Sequence, residues 1–135
     1  KLGEQKKQHH GIIEDIMAIS HEASSYGFDW DKPSDILLKM QEEVTELSET
    51  VQTSNKRRIE EELGDVFFTA FNIARYLKID PIKSLERGRR KFEARFRAVQ
   101  RLVSKQEQNP ALLSSAQLDE YWKKAKQLLE DLFII

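Results

Sequence analysis

From Ile12 onward, apolar positions recur at helical spacing almost to the end of the chain, which predicts helix nearly throughout. A first helix runs from Ile12 to about Ser25 and stops at the Tyr26-Gly27 turn. Gly27-Phe28-Asp29-Trp30 forms a short connector, and Pro33 suits the first turn of a second helix. There, Leu37, Met40, Val44, Leu47 and Val51 alternate steps of three and four, the mark of one buried stripe. Thr53-Ser54-Asn55 reads as a turn. Ile59, Leu63, Val66, Ala70, Ile73 and Leu77 then define a third helix of about twenty residues. Asp80-Pro81 opens a fourth, with a capping carboxylate followed by proline at the first helical position. Its stripe is Ile82, Leu85, Phe92, Phe96, Val99 and Val103, interrupted by Arg89. After a polar loop through Asn109-Pro110, Ser114 and Gln117 have capping-box spacing at the head of a last helix carrying Leu118, Trp122, Leu128, Leu129 and Leu132. The expectation is an all-α bundle of about five helices.

Composition narrows this picture without changing it. A chain of 135 residues suits one domain, 1–135, around one core. With 39% hydrophobic residues, five glycines and three prolines, it is neither a disordered chain nor a turn-rich all-β fold. Its 22 basic and 23 acidic side chains nearly cancel, which argues against a nucleic-acid partner. The lack of cysteine excludes thiolate chemistry and fits a reducing compartment, so the cytoplasm is the expected location. No apolar run is long enough to span a membrane, and no membrane partner is expected. The missing leader carries little weight, because the chain opens on Lys1 rather than Met. His9, His10 and His21 have no convincing partners and read as surface residues.

Glu43 and Glu46 lie three apart on the second helix, and Glu62 and Asp65 three apart on the third. At about 100° per residue each pair occupies one helix edge, just before two stripe residues. In an antiparallel hairpin about Ser54, Glu43 comes level with Asp65 and Glu46 with Glu62. Four carboxylates then crowd one level of the pair, at a cost that a divalent cation relieves, and all-oxygen ligation suits Mg²⁺ or Mn²⁺. On spacing alone, a metal site and two solvated acidic edges fit equally well.

At these residues the chain resembles the MazG family of nucleoside triphosphate pyrophosphohydrolases. The family motif has two adjacent glutamates, a third three residues on, and E-x-x-D after a spacer. Here it reads Glu42-Glu43-Val44-Thr45-Glu46 and Glu62-Leu63-Gly64-Asp65. Gly27-Phe28-Asp29-Trp30, Asn72-Ile73-Ala74-Arg75, Lys91-Phe92-Glu93-Ala94-Arg95-Phe96 and Leu118-Asp119-Glu120-Tyr121-Trp122 also look like family segments. The match spans about 12–127 and is nearest the C-terminal catalytic domain of two-domain members. It implies a homodimer and Mg²⁺-dependent cleavage between the α- and β-phosphates of a nucleoside triphosphate, giving monophosphate and pyrophosphate. Metal ligation is carried to Glu43, Glu46, Glu62 and Asp65. The chemistry also calls for a carboxylate to orient or deprotonate the attacking water, for which Glu42 and Glu61 are the candidates, although helix geometry points both away from their stripes.

Lys91 and Arg95 share a helix face with Gly88 one turn earlier, and Lys39 precedes Glu43 by one turn. All three cations look like family phosphate contacts, while Trp122 and Lys126 resemble a base-stacking tryptophan and a phosphate-reaching lysine. Arg89 departs from the family, standing where Asn is usual. The rival readings are a narrower all-α dUTPase, dCTP pyrophosphatase or phosphoribosyl-ATP pyrophosphatase, and a helical dimerisation or regulatory module that has lost turnover. Arg89 and the apolar end Leu132-Phe133-Ile134-Ile135 keep the last open.

Overall fold

A computed structural model describes residues 11–133, the side chains at 131 and 133 excepted. The order is α1 (Ile12–Tyr26), α2 (Pro33–Val51), α3 (Lys56–Tyr76), α4 (Pro81–Lys105), a 3₁₀ turn (Pro110–Leu112) and α5 (Ser115–Phe133). No strand occurs among the described residues, so the all-α class expected from periodicity is the observed one. His9, His10, Ile134 and Ile135 fall outside the described residues.

The chain packs as two units, one ending at Pro81 and the other starting at Ile82. In the first, α2 lies against α3 and α1 packs on α3. Gly27 ends α1 at φ +113°, letting its N–H and that of Phe28 donate to the carbonyls of Ser24 (3.1 Å) and Ala23 (2.9 Å). A left-handed residue closes a helix cheaply only when it lacks Cβ. Between α2 and α3 the chain reverses at Ser54 (φ 58°), and the Asn55 side chain caps α3 by accepting from the Arg58 N–H. The expected turn is therefore the observed one.

The seam of this hairpin takes in only part of the aliphatic stripe. On α2 the buried residues are Ile36, Glu43 and Thr50, with Met40 and Leu47 half-buried between them. On α3 Thr69 is buried, and Ile59, Glu62, Val66 and Ile73 are half-buried. Leu37, Val44 and Val51, and likewise Leu63 and Leu77, are exposed. The seam is thus rotated by roughly half a residue, about 50° on average, from the apolar stripe, sharing Met40, Leu47, Ile59, Val66 and Ile73 with it. Its threonines tolerate burial because each hydroxyl donates to a carbonyl one turn back, Thr50 to Glu46 and Thr69 to Asp65, both at 2.8 Å. Ile36 is wholly enclosed.

In the second unit Ala98, Val99 and Val103 of α4 meet Ala125 of α5, with Leu113, Tyr121, Trp122 and Leu129 packed around them. The capping box forms: the Ser114 N–H donates to Gln117 Oε1 (2.8 Å) and the Gln117 N–H to Ser114 Oγ (3.1 Å). The outer half of the α4 stripe, Ile82, Leu85 and Phe92, is exposed, as are Leu128 and Leu132. The apolar pattern predicts burial at those positions; α5 covers only the C-terminal half of α4's apolar face.

Candidate active site

The hairpin register brings Glu43, Glu62 and Asp65 together, each offering a carboxylate oxygen within 4.8 Å of the others. Two like charges at that separation repel by about 3 kcal/mol at an effective dielectric of about 20. Burial sharpens the problem. Glu43 is buried, Glu62 half-buried, and Asp65 forms the exposed rim. Glu43 Oε2 and Glu62 Oε2 are shielded from solvent and have no hydrogen-bond partner. Buried carboxylate oxygens without a partner are costly unless something supplies positive charge or a donor. Glu46, exposed, adjoins the cluster: its carboxyl is pushed above its ordinary value, first by the charge on Glu43, with burial and Glu62 adding to it. A set of carboxylate oxygens around two unmet acceptors fits a hard divalent cation such as Mg²⁺ or Mn²⁺.

Lys39 reaches into this cluster from one turn earlier on α2, its Nζ 3.0 Å from Glu43 Oε1 and 3.8 Å from Glu42 Oε2. The hydrogen bond to Glu43 raises the lysine's pKa. Glu42 and Glu61 stay on the exposed flanks, outside the cluster. Glu61 pairs with Arg57 at 3.5 Å.

The second unit holds the remaining sequence candidates. Lys91 is exposed beside Gly88 in an open groove that also includes Ile82, Arg87 and Leu132. A Cβ at Gly88 would meet nothing within 4 Å, so no contact within the chain requires the glycine. Arg95 is half-buried, and its Nε is shielded from water without an acceptor. Trp122 is half-buried against the α4–α5 core, its ring 5.3 Å from that of Phe92, and Lys126 one turn on is exposed. Arg89 spends its charge on its own helix, bonding Glu93 (2.6 Å) and Glu86 (3.1 Å).

One constellation went unread in the sequence. Arg75, with a side chain 5% exposed, donates to both oxygens of Asp29, at 3.0 and 2.8 Å. Its Nε donates to Ser20 Oγ (2.6 Å), and Asn72 Oδ1 accepts from Arg75 and from the Ser20 hydroxyl. Ser24 Oγ and the Trp30 N–H also donate to Asp29. These bonds hold the Asp29 carboxyl down to about 2, chiefly through Arg75. Together they fasten α1 and the 27–30 connector to α3. Asn72 and Arg75 are three apart and were visible on one helix face, but nothing in the sequence pointed to Ser20 or Asp29 as their partners.

An all-helical chain carrying acidic pairs level with one another on a helix hairpin defines a class of carboxylate-site proteins. Within it, the MazG nucleotide pyrophosphohydrolase domain matches residues 31–100, and the chain belongs to that family. It is 40% identical over 108 residues to the nucleoside triphosphate pyrophosphohydrolase/pyrophosphatase MazG of Thermotoga maritima, covering 80% of this chain and 41% of that protein. It is 27% identical over 139 residues to a nucleoside triphosphate pyrophosphohydrolase of Escherichia coli K12, covering 94% of this chain and 53% of the relative. The chain thus spans about half the length, or less, of these relatives. An uncharacterised protein of Bacillus subtilis, YabN, is 32% identical over 76 residues.

Proposed function

We propose that this chain is one catalytic domain, 1–135, that hydrolyses nucleoside triphosphates between the α- and β-phosphates, with Mg²⁺ or Mn²⁺ as cofactor. The observation that carries the reading is the pair of buried, unpartnered oxygens on Glu43 and Glu62 in a cluster with Asp65. The family match and the names of the relatives support the substrate class. Glu43, Glu46, Glu62 and Asp65 hold the cation, which neutralises phosphate oxygens and acidifies a water. Glu42, sharing the Lys39 ammonium with Glu43, is better placed than Glu61 to orient that water. Lys39, Lys91 and Arg95 bind phosphate, the lysines as point charges and Arg95 through its guanidinium fork. Trp122 and Lys126 contact the base and a phosphate respectively. The physiological setting of this reading is cytoplasmic housecleaning or signal control of the nucleotide pool.

The working form is a homodimer. Leu37, Val44 and Val51 repeat every seven residues along α2, and together with Leu63 and Phe67 of α3 they stay exposed. An apolar stripe this regular, turned away from its own hairpin partner, suits the same stripe on a second copy.

Purified protein incubated with Mg²⁺ and a panel of nucleoside triphosphates, with products separated by ion exchange, tests this. Monophosphate plus pyrophosphate is expected, with Glu62→Gln abolishing turnover while leaving the helical circular-dichroism signal intact. Diphosphate plus phosphate would contradict α–β cleavage. Absence of turnover across the panel would favour the non-catalytic module.

A further inference from the structure

We infer that Lys39 is the resident counter-ion of the carboxylate cluster and yields that place to the divalent cation, so that metal loading frees an ammonium for the triphosphate. This rests on the metal reading above and adds the order in which the site's positive charges change hands.

Glu43 is the enclosed member of the cluster, its side chain 8% exposed, and an enclosed carboxylate requires a compensating charge. Lys39 supplies it at 3.0 Å, on Oε1 alone, which leaves Oε2 turned elsewhere and unpartnered. Among the described residues no other basic side chain lies within 4.0 Å of Glu43, Glu46, Glu62 or Asp65. One ammonium therefore offsets one charge in a group of four, enough to keep Glu43 folded inward but too little to satisfy the cluster. A divalent cation held by these carboxylates would compete with the ammonium for Glu43 and repel it. Lys39 is free to leave: its side chain is 42% exposed, on a flexible stem that carries a point charge rather than a fixed fork. The same residue can thus serve Glu43 before loading and phosphate afterwards.

The test needs only the metal. Mn²⁺ binding without nucleotide is measured by electron paramagnetic resonance for the wild type, Lys39→Met, Lys39→Arg and Glu62→Gln, with thermal melts in EDTA and in saturating Mn²⁺. Lys39→Met is expected to bind Mn²⁺ about threefold or more tighter, the scale of a half-exposed ion pair. It should also melt about 3 °C lower than wild type in EDTA, a deficit that closes in Mn²⁺. Lys39→Arg keeps the charge and should stay close to wild type in both measurements. Unchanged or weaker Mn²⁺ binding by Lys39→Met, or a melting deficit of equal size with and without Mn²⁺, would overturn the inference and make Lys39 an ordinary helix-surface partner of Glu43. Failure of the underlying metal reading shows separately, as wild-type protein that binds no Mn²⁺ or as Glu62→Gln that binds it equally well, and it removes this inference too.

Discussion

Replacing Arg75 with methionine tests the network that fastens the 27–30 connector to the helices. Methionine keeps much of the arginine stem's packing and removes the guanidinium, so two charge-assisted bonds to Asp29 and the donors to Ser20 and Asn72 go together. Removing one partner of an enclosed ion pair costs about 3–5 kcal/mol, mostly because the other is left stranded. Asp29 is 26% exposed at the side chain and can take up water, so the lower end applies, about 3 kcal/mol at neutral pH. The pH dependence follows from the sign of the shift. Asp29's carboxyl is depressed from 3.8 to about 2 in the folded chain, so its contribution is complete above 3.8 and is lost as pH falls through 2. That contribution is worth at most about 2 kcal/mol after allowance for solvent at its exposed edge. Urea unfolding at fixed protein concentration, at pH 7 and in steps down to pH 2, should give a deficit for Arg75→Met that shrinks with acid. In a double-mutant cycle with Asp29→Asn, the two losses should be less than additive by about 1 kcal/mol or more. A deficit below about 1 kcal/mol at pH 7, or one independent of pH, would refute the claim that this pair secures the connector.

Ile36→Ala empties the one fully enclosed large side chain of the hairpin seam and should cost about 3 kcal/mol in chemical denaturation. Gln117→Ala breaks one half of the α5 capping box and should lower stability by about 1 kcal/mol, with Ser114→Ala adding less in its presence than alone. Phe67→Glu places a charge on the exposed α3 face at a side chain that lies mostly in solvent; on the proposed homodimer, sedimentation velocity should show dimer for the wild type and a shift to monomer for the variant, without loss of helical signal. A dimer that persists in this variant would put the interface elsewhere.

Helix number, helix class and the main boundaries were legible because their signals are local: periodicity, Pro33 and Pro81 at first turns, Gly27 at a stop, and the Ser114–Gln117 box. The register of the α2–α3 hairpin was legible too, since a short turn fixes which residues are level, and that placed Glu43, Glu62 and Asp65 together. The Arg75 network was not, because Ser20 and Asp29 reach it from 55 and 46 residues away and carry no periodic signature. The misplaced helix face is the more instructive difference. Sequence reasoning assigns the aliphatic stripe of α2 to the hairpin's interior, on the premise that the most apolar face is the one the chain buries against itself. On α2 the hairpin buries the 36–43–50 line beside Met40 and Leu47, where one hydroxyl satisfied one turn back and a carboxylate compensated by Lys39 can be enclosed at tolerable cost. That arrangement is sensible only if the aliphatic line has another use. An interior carboxylate has to be held in the seam if it is to be shielded from water, and so the apolar face must turn outward, where a second copy can cover it. On the proposed homodimer the buried acid and the exposed stripe go together: the rotation that encloses Glu43 is the one that leaves Leu37, Val44 and Val51 exposed.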